Sequence, residues 1–190
     1  MSFYDDEPAT PLGVVVEGGR GSLPFSLLHG ESLVACAAWA MGEAGILLLD
    51  LVTPWEDLRE AGAPLVWHDA LCPMTPPEFL AACVRRAVAE DAVVVGVLPV
   101  TDTVKDVEER DGVTLVAQTH DRDRLRRLAS PLVLPPSVVA RLDDWPDEDL
   151  VRAVADLRGL GPVNFAEAPT SGARVSSLTD LVRLEALTSR

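Results

Sequence analysis

Apolar residues recur along this chain in two rhythms, and the alternation between them predicts the architecture. Residues 12–16, 46–50, 64–67 and 92–98 are short apolar runs rich in Val, Leu and Ile, bounded by turn residues, as buried strands are. Between them, Leu33, Val34, Ala37 and Met41 fall at helical spacing. Phe79, Leu80, Cys83, Val84, Ala87 and Val88 form a second helical stripe, opened by Thr75 as a plausible N-cap and by Pro76 and Pro77. Residues 54–61 read as a short polar helix starting at a proline, where the missing N–H matters least. Strands alternating with helices pair in parallel through right-handed crossovers. The pattern therefore predicts an α/β fold: a three-layer, mostly parallel sheet with helices on both faces.

After Lys105 the rhythm changes. Residues 107–110 and 113–119 flank Asp111-Gly112, a dipeptide favoured in tight hairpin turns. A lone hairpin is marginal in water unless its apolar face packs on something, so the expectation is a protruding β-hairpin arm that leans on another subunit. Further on come a Pro-flanked apolar piece at 132–134, helices near 136–142 and 146–158, a strand at 162–166 and a closing helix at 178–187 capped by Ser177 and Asp180. The helix at 146–158 is expected to carry acids in its first turn, as the helix dipole prefers. With 190 residues the simplest organisation is one domain over 1–190, with 106–120 as its arm.

Charge narrows the partners. Thirty acidic against sixteen basic residues give a net charge of −14, with no Lys/Arg cluster of the kind nucleic acids need, which argues against DNA or RNA. No apolar run approaches a membrane span, and the opening MSFYDDEPAT has acids where a secretory signal needs a basic region, so a cytoplasmic protein is expected. The acids of 143–149 read as a solvated face. Cys36, Cys72 and Cys83 show no CxxC spacing, which speaks against zinc or a disulfide framework; Cys36 and Cys83 fall on apolar helix faces as buried thiols. Core packing is the default for all four tryptophans.

Three places could carry chemistry. The strand at 92–98 runs out into Asp102, Thr103 and Lys105, which sets carboxylate, hydroxyl and ammonium at the carboxyl edge where open α/β sheets bind ligands. The first strand runs into Gly18, Gly19 and Gly21, whose backbone N–H groups could cradle a phosphate, although a glycine turn after a strand is common. Asp69 ends the third strand and could hold a metal or cap the next segment. Lys105 and Arg122 could instead ion-pair with Asp102 or Asp121. His68 reads as packed or hydrogen-bonded, and His29 and His120 as solvent-facing.

Four segments together carry a resemblance: 14–21, Trp67-His68-Asp69-Ala70-Leu71-Cys72-Pro73, Pro99 to Lys105 followed by Thr119-His120-Asp121-Arg122, and 174–181. The chain resembles the 2-C-methyl-D-erythritol 4-phosphate cytidylyltransferases, which join CTP to a polyol phosphate in isoprenoid biosynthesis. The most specific match is Pro-Val-x-Asp-Thr-x-Lys followed by Thr-x-Asp-Arg. The resemblance extends over nearly the whole length, though the chain is shorter than typical members. It implies a glycosyltransferase-A-like fold, a homodimer formed through the 106–120 arm, and a phosphorylated small molecule held by Asp102, Thr103, Lys105 and Arg122, with Arg122 offered across the dimer. It also implies a Mg²⁺ site at Asp69, a triphosphate loop at Gly18, Gly19 and Gly21, and Arg174 in the place of a catalytic lysine.

Several family features are changed. The family loop Ala-Ala-Gly-x-Gly-x-Arg is here Glu17-Gly18-Gly19-Arg20-Gly21-Ser22-Leu23, and the lysine after it becomes Pro24. The arginine after His-Asp-Ala becomes Cys72, the second metal-binding acid aligns with Ser171, and residues 51–65 are too few for the Gly-Gly-x-x-Arg segment that holds cytosine. Removing one preorganised electrostatic group commonly raises a barrier by about 3 to 4 kcal/mol. The expectation is a pseudoenzyme with impaired or lost CTP chemistry; the alternative is a non-catalytic dimeric regulatory or interaction protein on the same fold.

Overall fold

The computed structural model describes residues 9–110 and 113–189. Its main sheet runs in the order β10-β6-β9-β5-β1-β4, built from β1 (Leu12–Val16), β4 (Leu47–Leu48), β5 (Leu65–Asp69), β6 (Val93–Pro99), β9 (Arg126–Leu134) and β10 (Val163–Glu167). A two-stranded ribbon, β2 (Leu27–Leu28) with β3 (Glu31–Ser32), precedes α1 (Leu33–Glu43). A second antiparallel pair is β7 (Val104–Arg110) with β8 (Val113–His120); the Asp111-Gly112 turn between them lies outside the described residues.

The alternating side chains of the strands feed two cores, because successive residues point to opposite faces. Val14, Val16, Leu65, Trp67, Val93, Val95, Leu132 and Leu134 face one side, where α2 (Trp55–Ala61), α4 (Pro136–Val139) and α5 (Leu150–Leu157) cover them. Val66, Val94 and Val133 face the other side, under α1 and α3 (Pro77–Glu90). The result is the three-layer α/β arrangement that the periodicity predicts. A third cluster joins Leu28, Leu33 and Leu71 to α6 (Leu178–Thr188) through Leu181 and Leu184, and so fastens the end of the chain beside the carboxyl end of β5.

The sheet is mixed, with three parallel and two antiparallel pairings. Both antiparallel pairings belong to β9, which lies between β5 and β6 in a stretch that shows only a short Pro-flanked apolar piece in the sequence. Pro131 interrupts the apolar run and cannot donate to a ladder, which hides the strand. The register of β6 against β9 shifts between Val95 and Gly96. There a Cβ on Gly96 would lie 2.5 Å from the Ser130 carbonyl oxygen, so only glycine permits this approach.

Other elements depart in detail. Residues 46–50 yield only the two exposed residues of β4 at the sheet edge, not a buried strand. The helix read from residue 146 begins at Leu150 and has no acid in its first turn, because Asp149 serves as its N-cap. Trp39 is 64% exposed on α1, whereas Trp55, Trp67 and Trp145 pack together. Cys36 is only half-buried, while Cys72 and Cys83 are buried.

Candidate functional site

β1 and β5 run parallel with Val16 opposite Asp69, so the loops that follow them leave the sheet side by side. The first is the glycine loop, with Gly19 at φ +69 and Gly21 at φ +60, backbone that side chains other than glycine rarely adopt. That loop turns the Arg20 side chain back toward the sheet, where Nε donates to Asp69 Oδ1 at 2.8 Å. Arg174, from the segment before α6, donates its Nε to Asp69 Oδ2 at 2.9 Å. The Leu71 N–H also donates to Oδ1, at 2.9 Å. Burial works to raise the Asp69 pKa, but hydrogen bonds from Arg20, Leu71 and Arg174 outweigh it and hold the carboxyl below its ordinary range.

Behind Asp69 the strand β9 contributes Ser130. Its hydroxyl accepts the Asp69 N–H at 3.0 Å and lies 2.5 Å from His68 Nδ1. His68 is fully buried, its Nε2 has no hydrogen-bond partner among the described residues, and burial lowers its pKa to about 4, so it is neutral at physiological pH. Burial also pushes the Cys72 thiol up to about 12, with the Asp69 charge adding to the effect, which makes Cys72 a packing group and not a nucleophile.

Arg20, Asp69, Cys72, Ser130 and Arg174 line a cavity of about 500 Å³ whose opposite wall is the acidic stretch Asp147, Glu148 and Asp149. Trp145 fixes that stretch by stacking on Trp67 of β5 at 5.8 Å and meeting Trp55 edge-on at 5.2 Å. Asp149 then accepts the N–H groups of Val151 and Arg152 as the cap of α5. Arg20 ties loop to wall, since its Nη2 donates to the Glu148 carbonyl at 3.1 Å while Nη1 donates to the Gly18 carbonyl. The Glu148 carboxylate rests against the glycine loop, and a Cβ on Gly18 would meet its oxygen at 2.2 Å.

The residues singled out in the sequence are thus divided. Gly18, Gly19, Asp69 and Arg174 line the cavity, and Gly21 stands outside it. Asp102, Thr103, Lys105 and Arg122 are exposed and do not line it. Arg122 donates to the Thr101 carbonyl at 2.8 Å and not to Asp102 or Asp121, and the Asp121 carboxylate accepts the Asp123 N–H. His120 Nε2 stands 2.9 Å from Asp106 across the β7–β8 pair, and exposed His29 meets the Thr188 hydroxyl at 2.7 Å. Arg20, Ser130 and Glu148 are site residues that sequence reasoning missed. Their partners lie 49 to 128 residues away, and only the glycines beside Arg20 hinted at the place.

Comparison with known proteins points to one family. The family model described as 2-C-methyl-D-erythritol 4-phosphate cytidylyltransferase matches residues 56–147. A cytidylyltransferase of that name from Frankia casuarinae is 32% identical over 124 residues, covering 65% of this chain and 46% of the relative. Its counterpart from Corynebacterium glutamicum (strain R) is 36% identical over 105 residues, covering 55% of this chain and 37% of the relative. The chain is similar to this family over part of its length. It spans less than half the length of those two curated relatives. Its fold is that of the family's solved structures: 4-diphosphocytidyl-2C-methyl-D-erythritol synthase from Anaerococcus prevotii superposes with a TM-score of 0.69 at 13% identity, over 95% of this chain and 96% of that one. The Thermus thermophilus cytidylyltransferase gives 0.65 at 19% identity, over 93% and 96%.

A Mg²⁺ ion is the metal the family implies, and Asp69 is the residue that would hold it. As arranged, each Asp69 oxygen already accepts a guanidinium, and no group of three His, Cys, Asp or Glu converges among the described residues. This donor set does not fit a Mg²⁺ centre.

Proposed function

We propose that this relative of the cytidylyltransferases is impaired in nucleotidyl transfer from CTP and keeps the fold mainly as a binding scaffold. The observation that carries the reading is the state of the cavity: Asp69 is matched by Arg20 and Arg174, and the Glu148 carboxylate occupies the surface of the glycine loop. A triphosphate approaching that loop meets an acid where phosphoryl transfer needs cations. Mg²⁺ at Asp69 would have to displace a guanidinium held by a charge-assisted hydrogen bond. The test is incubation with CTP, Mg²⁺ and 2-C-methyl-D-erythritol 4-phosphate, with pyrophosphate release as readout. The expected rate is at least about a thousandfold below an ordinary enzymatic rate, as for the loss of one preorganised electrostatic group; turnover in the ordinary range would overturn the reading.

A second reading, a non-catalytic homodimer joined through the β7–β8 arm, is favoured by one feature. Val107 and Val116 sit opposite each other in the ladder, and each is 61% exposed, a cross-strand apolar pair without a cover. Under this reading Asp102, Thr103, Lys105 and Arg122 face a phosphorylated small molecule at the dimer boundary. Sedimentation velocity distinguishes the cases: a dimer that Val107→Asp converts to monomer supports the arm, and a monomeric parent chain removes it.

A further inference from the structure

A second cavity, of about 240 Å³, lies on the other side of Arg174, between the start of β9 and α6. Three guanidinium groups line it: Arg127 from β9, Arg183 from α6, and Arg174 from the segment between them. In a chain with nearly twice as many acids as bases, arginines are expected to find carboxylates, yet Arg127 and Arg183 make no hydrogen bond or ion pair among the described residues. The acid in the lining, Asp180, is committed to the α6 cap: its Oδ2 accepts the Ser176 N–H and the Ser177 hydroxyl, both at 3.0 Å. Those two bonds, in that order, hold it below the ordinary carboxylate range, and the Arg183 charge adds to them without an ion pair being formed. Arg174 spends its Nε on Asp69, which leaves its two terminal nitrogens without a partner among the described residues.

The three arginines are exposed around one cavity, and an anion between them would relieve the repulsion of their like charges. Thr170 and Ser176 line the same space, and their hydroxyls make no hydrogen bond among the described residues. Three forked donors and two hydroxyls exceed what the two oxygens of a carboxylate can accept, and match the three terminal oxygens of a phosphate monoester. Leu184 and Leu187 supply an apolar flank for the carbon attached to such an ester. We propose that this cavity is a binding site for the phosphate group of a small phosphate monoester, separate from the Asp69 cavity but sharing Arg174 with it.

The test uses the full chain and inorganic phosphate as probe, followed by isothermal titration. Removing one charge-assisted contact should weaken binding roughly tenfold or more, so Arg127→Ala and Arg183→Ala are each expected to do so, with Arg183→Gln repeating the result in a variant whose melting temperature matches the parent chain. Arg59→Ala and Arg86→Ala are expected to change the affinity less than about twofold, since neither residue lines this cavity or the Asp69 cavity. Unchanged binding in Arg183→Ala and Arg183→Gln, or loss of binding in Arg59→Ala or Arg86→Ala instead, overturns the proposal. Pyrophosphate release from CTP would overturn the impaired-chemistry reading and leave this site standing.

Discussion

The Asp69 cavity and the stretch from Pro99 to Arg122 are built in opposite ways. The stretch carries the sequence motif most specific to the family, yet its Asp102, Thr103 and Lys105 are exposed and, among the described residues, its strands β7 and β8 pair only with each other. The cavity is where the family pattern is most altered, yet every charged group at its base is matched: Arg20 and Asp69 are largely buried, with side chains 8% and 11% exposed, and Arg174 closes the set. The contrast teaches that a matched motif and a preorganised site are different things. A motif records residue types at a spacing, whereas preorganisation depends on partners that hold each group still.

Breaking the cavity should therefore disturb the whole molecule. Asp69→Ala leaves the Nε groups of Arg20 and Arg174 and the Leu71 N–H without their acceptor, and losing one side of a buried ion pair typically costs about 3 to 5 kcal/mol. Urea unfolding at neutral pH measures it, and a loss under about 1 kcal/mol would mean that the cluster is as loosely held as the arm. Next in size is the pH dependence set by His68. Its folded pKa of about 4 lies below the ordinary 6.5, so the unfolded chain binds the extra proton first, and stability falls as pH drops from about 6.5 to about 4. The full effect is about 3 kcal/mol. Asp69 acts in the same direction at lower pH, because its folded pKa is also depressed. A His68→Gln chain should show a flatter stability profile across that window; an identical profile would sink the assignment.

Gly96→Ala sharpens the comparison from the backbone side. Its Cβ would press on the Ser130 carbonyl, and overpacking of this kind destabilises by roughly 1 to 3 kcal/mol. The same change should shift the amide resonances of Ser130 and Asp69 in an NMR spectrum. At the small end, Lys105→Ala and Arg122→Ala should each move stability by no more than about 0.5 kcal/mol, as expected for exposed side chains with few contacts. A larger loss in the isolated chain would show that the stretch is held by more than the Thr101 carbonyl.

Most strands and helices could be read from periodicity because each buries a regular face, as Val14 with Val16 and Leu80 with Ala87 do on opposite sides of the sheet. β9 escaped because Pro131 breaks the run at the point where Ser130 enters the site. Gly18, Gly19, Asp69 and Arg174 were legible as single residues, but the double ion pair at Asp69 was not, since it joins positions 49 and 105 residues apart. The acids 147–149 looked like a solvated face because a local charge run carries no record of what lies across from it. Trp145 and the Asp149 cap aim that run at the glycine loop, and both act through tertiary contacts.

The place of β9 has a consequence for how the chain is made. β5 and β6 are synthesised well before residues 126–134, and neither pairs directly with the other in the finished sheet. Until β9 arrives they present facing strand edges with a gap about two interstrand spacings wide, roughly 10 Å, flanked by valines and Trp67. Such a slot accepts any extended apolar peptide of the right length, including β9 of a neighbouring copy. Correct assembly then depends on the chain's own β9 arriving before a foreign strand does, and crowded nascent chains are where that order is most easily lost.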